Sequence, residues 1–239
     1  MHSIFVSDLH LTPDRPEATE RFFHLVTDVA PRAAALYILG DLFEYWIGDD
    51  DLDDPFNASI ADAIGSLAAR GVPVSFMQGN RDVLAGAGFA ARCGAKLIPD
   101  PTVLDLHGAR TLLMHGDTLC TDDVEYQAFR VYAHDPANQR RFLSQPIAAR
   151  REQFTGLRAE SEKSKKSKPA EIMDVTTGAV EQSLREFGYP RLIHGHTHRP
   201  ARHVHVVDGR ACERWVLTDW YGRAGYLRCE AGGCTPVSL

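Results

Sequence analysis

No run of apolar residues in this chain approaches the ~18 needed to cross a bilayer. Nothing near Met1 has a basic stretch followed by an apolar one, so no secretory signal is visible. Together these absences predict a cytoplasmic protein, or one that sits on a membrane without crossing it. Positive charge is not in excess either. The chain has 26 Lys and Arg against 32 Asp and Glu, a net charge of -6. That excludes a surface built as a whole to attract nucleic acid. Cysteine pairing is also lacking. Cys93, Cys120, Cys212, Cys229 and Cys234 contain no Cys-x-x-Cys spacing and are odd in number. Reduced, mostly buried thiols are the expectation, with no thiolate metal site and no structural disulfide. There is no internal repeat and no long disordered tract. What remains is 239 residues with 44% hydrophobic and 24% charged content, ordinary for a globular protein. One generous domain, 1–239, with room for an insertion is expected.

Hydrophobic periodicity gives an alternation of strand and helix through the first half. The Ile4–Val6 run is a strand, and Thr19–Ala30 has helical spacing closed by Pro31. Ala35–Leu39 is continuously apolar, as a strand covered on both faces should be. The acidic run Asp49–Asp54 reads as a solvated loop. Ala58–Arg70 is a helix, Val72–Met77 a strand, and Val83–Cys93 a short helix weakened by Gly86 and Gly88. Strands follow near Lys96–Ile98, Val103–Leu106 and Thr111–Met114. From 124 to 168 the character changes to polar and Arg-rich. A helix over Val124–Ala133 is broken at Pro136, and a basic run from Lys163 to Lys168 follows. This is expected to be a helical insertion within the domain. Ile172–Phe187 reads as a helix and Arg191–Ile193 as a strand. His203–Val207, Arg214–Thr218 and Gly225–Cys229 read as hairpin strands, with Asp208-Gly209 as a turn.

Five of the strands end in the same way. Each is apolar and delivers metal-ligand side chains just past its carboxyl end: Asp8 and His10, Asp41, Asn80, His115, then His196 and His198. In α/β sheets, sites form at those ends. Glycine precedes the ligand at Gly40, Gly79 and Gly195 and follows it at Gly116, which permits sharp turns. Seven oxygen and nitrogen donors exceed the four that one tetrahedral zinc takes. Two ions of higher coordination sharing one carboxylate fit better. With no thiolate in the set, Mn²⁺ is the expected ion, and Zn²⁺, Fe²⁺ and Co²⁺ stay open. Paired ions of this kind activate water and neutralise charge on a phosphoryl group. His194 reads as packing rather than a ligand, and His203 and His205 as solvent-facing.

Asp8-x-His10, Gly40-Asp41-x-x-Glu44, Gly79-Asn80-x-Asp82, His115 and Gly195-His196-x-His198 occur in order. Together they resemble the calcineurin-like metallophosphoesterases. The resemblance implies an α/β fold, a four-layer αββα sandwich of two packed sheets. It also implies that Asp8, His10, Asp41 and His198 hold one metal, and Asp41, Asn80, His115 and His196 the other. Asp41, Asn80, Arg81 and His115 are then the catalytic set. One residue departs from the family pattern. Where the family usually carries a histidine that protonates the leaving group, this chain has Arg81. Arginine stays charged and cannot be a general acid near neutral pH, but it can clamp a phosphate with two hydrogen bonds. The leaving group should therefore depart without a proton, as a phosphate monoester does, which points to a diphosphate substrate.

The longer matches Tyr37–Glu44, Trp46–Asp50, Met114–Asp123, Ile172–Val175 and Leu192–Pro200 resemble one branch of that family. Its members hydrolyse UDP-2,3-diacylglucosamine in lipid A biosynthesis at the cytoplasmic face of the inner membrane. The resemblance implies a helical lid over 124–168 that holds acyl chains, with Phe129, Tyr132, Phe142, Leu143 and Ile147 either lining its groove or docking it. It implies substrate contacts from Asn80, Arg81, Asp123, Ser161, Lys165, Lys168 and His196. Lys165 departs from the branch, which usually carries an amide there. A monomer is expected. A soluble nucleotide pyrophosphatase or phosphodiesterase on the same core stays open as the alternative.

Overall fold

Local sequence signals set most of the element ends in the computed structural model, which describes residues 1–156 and 172–239. The chain opens with β1 (Ser3–Val6) and α1 (Pro16–His24). Pro16 lies in the first turn of α1, where its missing N–H leaves no bond unmade. The helix expected over Thr19–Ala30 thus begins earlier, and it ends in a π-helical turn, Leu25–Val29. Next come β2 (Ala35–Leu39), α2 (Pro55–Ala69), β3 (Val74–Met77), α3 (Ala87–Cys93) and β4 (Lys96–Leu97). The Asp54 carboxylate caps α2 by accepting from the backbone N–H groups of Phe56 and Asn57. The glycines that weakened the Val83–Cys93 helix shorten it: Gly86 is the N-cap of α3, and the helix starts one residue later.

β5 (Thr102–Leu106) and β6 (Ala109–Leu113) form an antiparallel pair. Between β6 and the next strand lie α4 (Val124–His134), α5 (Pro136–Leu143), α6 (147–156, as far as described) and α7 (Thr177–Glu186). Pro136 does not simply break a helix; it starts one. Asp135 caps α5 by accepting from the N–H groups of Ala137 and Asn138. The helix expected from Ile172 begins only at Thr177, because the Thr176 hydroxyl caps it by accepting from Ala179 N–H.

β7 (Arg191–His194), β8 (Ala201–Val207), β9 (Arg210–Val216), β10 (Gly225–Glu230) and β11 (Gly233–Ser238) complete the fold. β8 and β9 are the expected hairpin, turned at Asp208 and Gly209, both with positive φ. β10 does not extend that hairpin. It crosses to the other sheet and pairs antiparallel with β1 and with β11.

Two sheets result, in the orders β11-β10-β1-β2-β3-β4 and β5-β6-β7-β9-β8. Side-chain alternation explains how they pack. Ile4, Val6, Leu36, Ile38, Val74 and Phe76 face α1, α2 and α3 in one core. Phe5, Leu39 and Met77 face the opposite way and meet Leu106, Leu113, Ile193 and Trp215 of the second sheet. Leu112 and Leu192 then face Val180 and Leu184 of α7. Helices, sheet, sheet and helix make the four-layer αββα sandwich.

The expectation for the cysteines fails at one pair. Cys93, Cys120 and Cys212 are free and buried, but Cys229 and Cys234 form a disulfide. The register of β10 against β11 sets them opposite each other, and β11 was not foreseen from sequence.

Candidate active site

The carboxyl ends of β1, β2 and β3 from one sheet meet those of β6 and β7 from the other. Asp8 and His10 follow β1, Asp41 follows β2 and Asn80 follows β3; His115 follows β6, and His196 and His198 follow β7. All seven expected ligands thus belong to one cluster drawn from both sheets. The loops are zipped by backbone bonds from Asp8 N–H to Gly40 C=O (3.1 Å) and from His10 N–H to Asp41 C=O (3.0 Å). Asp8, His10, Asp41, His196 and His198 all have positive φ, between 49 and 69°. Non-glycine residues rarely adopt that conformation, and its concentration here marks a backbone held by its surroundings.

The surroundings are visible. Asp82, fully buried, accepts from the N–H groups of Gly79 (2.7 Å), Leu42 (2.8 Å) and Asp41 (3.2 Å), which ties the loops after β2 and β3 together. The Asp8 carboxylate accepts from the Ser7 hydroxyl at 2.5 Å and from His196 N–H at 2.9 Å. Gly40 approaches Gly79 so closely that a Cβ on it would lie 2.5 Å from the Gly79 Cα. His194 is buried as expected: its Nδ1–H donates to Gly195 C=O (2.9 Å) and Arg214 donates to its Nε2 (3.1 Å). His205 differs from expectation, since Arg214 also donates to it at 3.1 Å and leaves it half-buried.

Acceptor atoms converge. His10 Nε2 lies 3.2 Å from His198 Nε2, and His198 Nε2 lies 3.4 Å from Asp8 Oδ1. Asp41 turns one oxygen to each side, Oδ2 at 3.8 Å from His10 Nε2 and Oδ1 at 3.7 Å from His115 Nε2. Asn80 Oδ1 sits 3.0 Å from both His115 Nε2 and His196 Nδ1. His115 Nδ1–H donates to Leu39 C=O at 2.9 Å, which leaves its Nε2 lone pair for the site. Two overlapping groups, Asp8–His10–His198 and Asp8–Asp41–His115, are close enough to hold an ion each. Lone pairs from imidazole, amide and carboxylate aimed at one another fit a divalent cation.

Protons reflect the same crowding. Burial pushes Asp41 up to about 7, reinforced by Asp82 and Asp8. Burial opposes the charge on His115, yet Asp41, Asp117 and Asp8 hold it up at about 10. Burial and the neighbouring His115 bring His196 down to about 3. Asp8 stays well below the usual carboxylate range, because His198 overcomes the effect of burial.

The helices after β6 anchor beside this cluster. Tyr126 OH (2.6 Å) and Arg130 Nε (2.8 Å) of α4 donate to Asp117 Oδ2, two residues past His115. The Tyr126 ring lies 5.5 Å from His196. Asp123 caps α4, accepting from Tyr126 N–H. The acidic run Asp49–Asp54 is not the solvated loop expected. Arg150 of α6 is buried against it, donating to Asp50 Oδ1 at 2.9 Å and Ile47 C=O at 2.6 Å, and Arg151 donates to Asp51 at 2.7 Å. Asp49 meanwhile accepts from Trp46 Nε1 and from the N–H groups of Gly86 and Gly88. Phe142 packs on Phe154, and Phe154 on Tyr45. Phe129 and Tyr132 stay exposed. Arg81 donates its backbone N–H to Asp41 Oδ1 (2.8 Å), and its side chain borders a cavity of about 60 Å³ with Glu44, Tyr45, Phe154 and Thr155. Ser161, Lys165 and Lys168 lie outside the described residues.

A model of the calcineurin-like phosphoesterase family matches residues 1–200. The chain belongs to that family. As a calcineurin-like phosphoesterase it is a hydrolase, and the family implies divalent metals. Its relatives include proteins named UDP-2,3-diacylglucosamine hydrolase. That of Aromatoleum aromaticum is 53% identical over 239 residues, covering 100% of this chain and 97% of the relative. That of Xanthomonas campestris is 48% identical, covering 98% and 97%, and that of Stenotrophomonas maltophilia 47%, covering 100% and 99%. Sequence reading missed several residues that this phosphoesterase places at its site: Asp82, Asp117, Tyr126 and Tyr221. Asp82 had a signal as the last residue of Gly-Asn-x-Asp, and Asp117 within the Met114–Asp123 match, whereas Tyr126 and Tyr221 had none.

Proposed function

We propose that this phosphoesterase hydrolyses the diphosphate of UDP-2,3-diacylglucosamine to UMP and 2,3-diacylglucosamine 1-phosphate, a step of lipid A biosynthesis. The observation that carries this reading is Arg81. It follows the ligand Asn80 directly, is joined to Asp41 through its backbone, and replaces the acid that an alcohol leaving group would need. A planar guanidinium matches the paired oxygens of a phosphate, so Arg81 orients the diphosphate and offsets charge as the leaving phosphate departs. The names of the relatives supply the glycolipid nucleotide.

Asp8, His10, Asp41 and His198 hold one cation in this reading, and Asp41, Asn80, His115 and His196 the other, with Mn²⁺ as the ion. When bound, the pair supplies Lewis acidity for water and for the phosphoryl oxygens. Asp41 faces both sides and orders the site through Arg81 N–H. Residues 124–168 act as a lid insertion: its Phe154, backed by Phe142, forms with Tyr45 of the core an apolar wall beside Arg81, suited to acyl chains. Asp123, Ser161, Lys165, Lys168 and His196 contact the substrate, and the enzyme works as a monomer.

The protein meets the cytoplasmic face of the inner membrane through α4. That helix is inverted. Its polar groups, Tyr126 OH, Gln127 and Arg130, point inward to the Asp117 loop, while Val124, Phe129, Val131 and Tyr132 are exposed. A substrate with two acyl chains is presented at a lipid surface, and an outward apolar helix face suits that surface. No helix among the described residues is long and apolar enough to cross a membrane.

Product analysis tests the reading. Mn²⁺-loaded protein receives UDP-2,3-diacylglucosamine or UDP-N-acetylglucosamine in ¹⁸O-labelled water. UMP from the acylated substrate alone, with the label on one phosphorus, is expected. Equal turnover of the soluble nucleotide sugar would replace it with a soluble nucleotide pyrophosphatase.

A further inference from the structure

We propose that Glu44 and Tyr221 are a positioning pair that fixes the imidazoles of His10 and His198 for a cation. The proposal rests on the reading that these histidines are ligands. Tyr221 lies in the loop between β9 and β10. That loop is pinned by Trp220, whose backbone N–H donates to Asp8 C=O (3.0 Å) and whose Nε1–H donates to Gly225 C=O (3.0 Å). From there the Tyr221 ring stacks on His10 with centroids 4.8 Å apart and planes 29° apart, and it leans on His198 at 5.5 Å. The Arg15 guanidinium lies 4.4 Å above the same ring and donates to His10 C=O at 3.1 Å. Tyr221 is 47% exposed, so the ring is a wall of the site rather than core filling.

Its hydroxyl reaches inward. Tyr221 OH donates to Glu44 Oε2 at 2.9 Å, and that same oxygen lies 3.7 Å from His10 Nδ1. Glu44 is 2% exposed. A buried carboxylate beside Nδ1 favours the proton there, which leaves the Nε2 lone pair facing His198 and Asp41. The phenol fixes the carboxylate and the ring face together, so two contacts set both the tautomer and the orientation of His10. The other half of the site is built differently. His115 has its Nδ1 fixed by the Leu39 backbone carbonyl, which no substitution of a neighbouring side chain removes. The Glu44–Tyr221 pair should therefore tune one cation and spare the other.

The test is Mn²⁺ titration of metal-stripped protein by calorimetry, with the parent, Glu44→Gln, Tyr221→Phe and the double variant, each with a thermal melt. Both single changes keep size and shape. Glu44→Gln is expected to weaken one of two binding events by roughly 10–100-fold, and Tyr221→Phe by less. The double variant should weaken it by less than the product of the singles, because both act through one carboxylate oxygen. Parental affinity at both events in Glu44→Gln and Tyr221→Phe would overturn the proposal. So would equal weakening of both events with a matching fall in melting temperature, the signature of a general structural role. A parent that takes up no Mn²⁺ would remove the cation reading itself, and this proposal with it.

Discussion

At Gly195 there is no room for a methyl group. A Cβ there would overlap Ser7 Oγ and Asp8 Oδ2, which are hydrogen-bonded to each other at the head of the cluster. Gly195→Ala is expected to cost about 1–3 kcal/mol of stability through overpacking. Its turnover should fall by ~100-fold or more, because displacement of reacting groups by about 1 Å has that effect. Gly178 is the control. It lies in the first turn of α7 with nothing near its open side, so Gly178→Ala should keep full activity and gain up to about 1 kcal/mol. Urea melts and initial rates of both variants check this, and full activity in Gly195→Ala would contradict the packing argument. The residues that cluster at the strand ends were legible because each closes an apolar run. Tyr221 and Tyr126 were not, because an aromatic side chain in a loop or a polar helix has no pattern that says which histidine it will meet.

Among the elements, α4 and α6 carry the least legible physics. Periodicity assigns a helix's apolar stripe to the core, and for α4 that rule points the wrong way. Its polar groups are needed inside because Asp117, buried and charged, must be paired. If the outward face meets lipid, Val124→Asp with Val131→Asp should lower binding to anionic vesicles by at least roughly tenfold, given the cost of placing charge against acyl chains. Turnover of a short-chain, soluble analogue should not change. Sedimentation with vesicles and rates on the analogue separate the two, and unchanged sedimentation would reject the face. For α6, the decisive contact joins residues 100 apart in sequence, Arg150 with Asp50. A run of aspartates looks solvated until its arginine is located. Arg150→Ala leaves Asp50 half-exposed and solvated, so the loss is that of charged hydrogen bonds, about 2–3 kcal/mol. Urea unfolding measures it, and limited proteolysis should cut within 147–156 first.

Over the whole molecule, cation and proton compete for the same atoms. Without a cation, His115 stays protonated up to about pH 10, and Asp41 up to about 7. Binding requires neutral imidazole and ionised carboxylate, so uptake releases protons and apparent affinity rises with pH across this window. Calorimetry at pH 7 in buffers of different ionisation enthalpy should give buffer-dependent heats, with roughly one to two protons released per protein. Heats independent of buffer would show that the crowded pair is not protonated. Chelation should lower the melting temperature, since ions at 100 times their Kd stabilise the folded state by about 2.7 kcal/mol. The strand and helix order was legible as far as β10, and only the closing strand β11 was missed. That β10 leaves the second sheet for the first was not legible, because Gly225–Glu230 has the same alternation whichever sheet it joins.

The left-handed backbone at Asp8, His10, Asp41, His196 and His198 restricts the vocabulary of the site as well as its shape. Asp, Asn, His and Gly are the residue types that tolerate this conformation, and β-branched side chains are the ones that do not. Exchange among those four can therefore alter the charge and donor type around the ions while the loops stay folded. Divergence in metal preference has an alphabet of about four letters at these five positions, and a substitution library scored for soluble expression would spell it out.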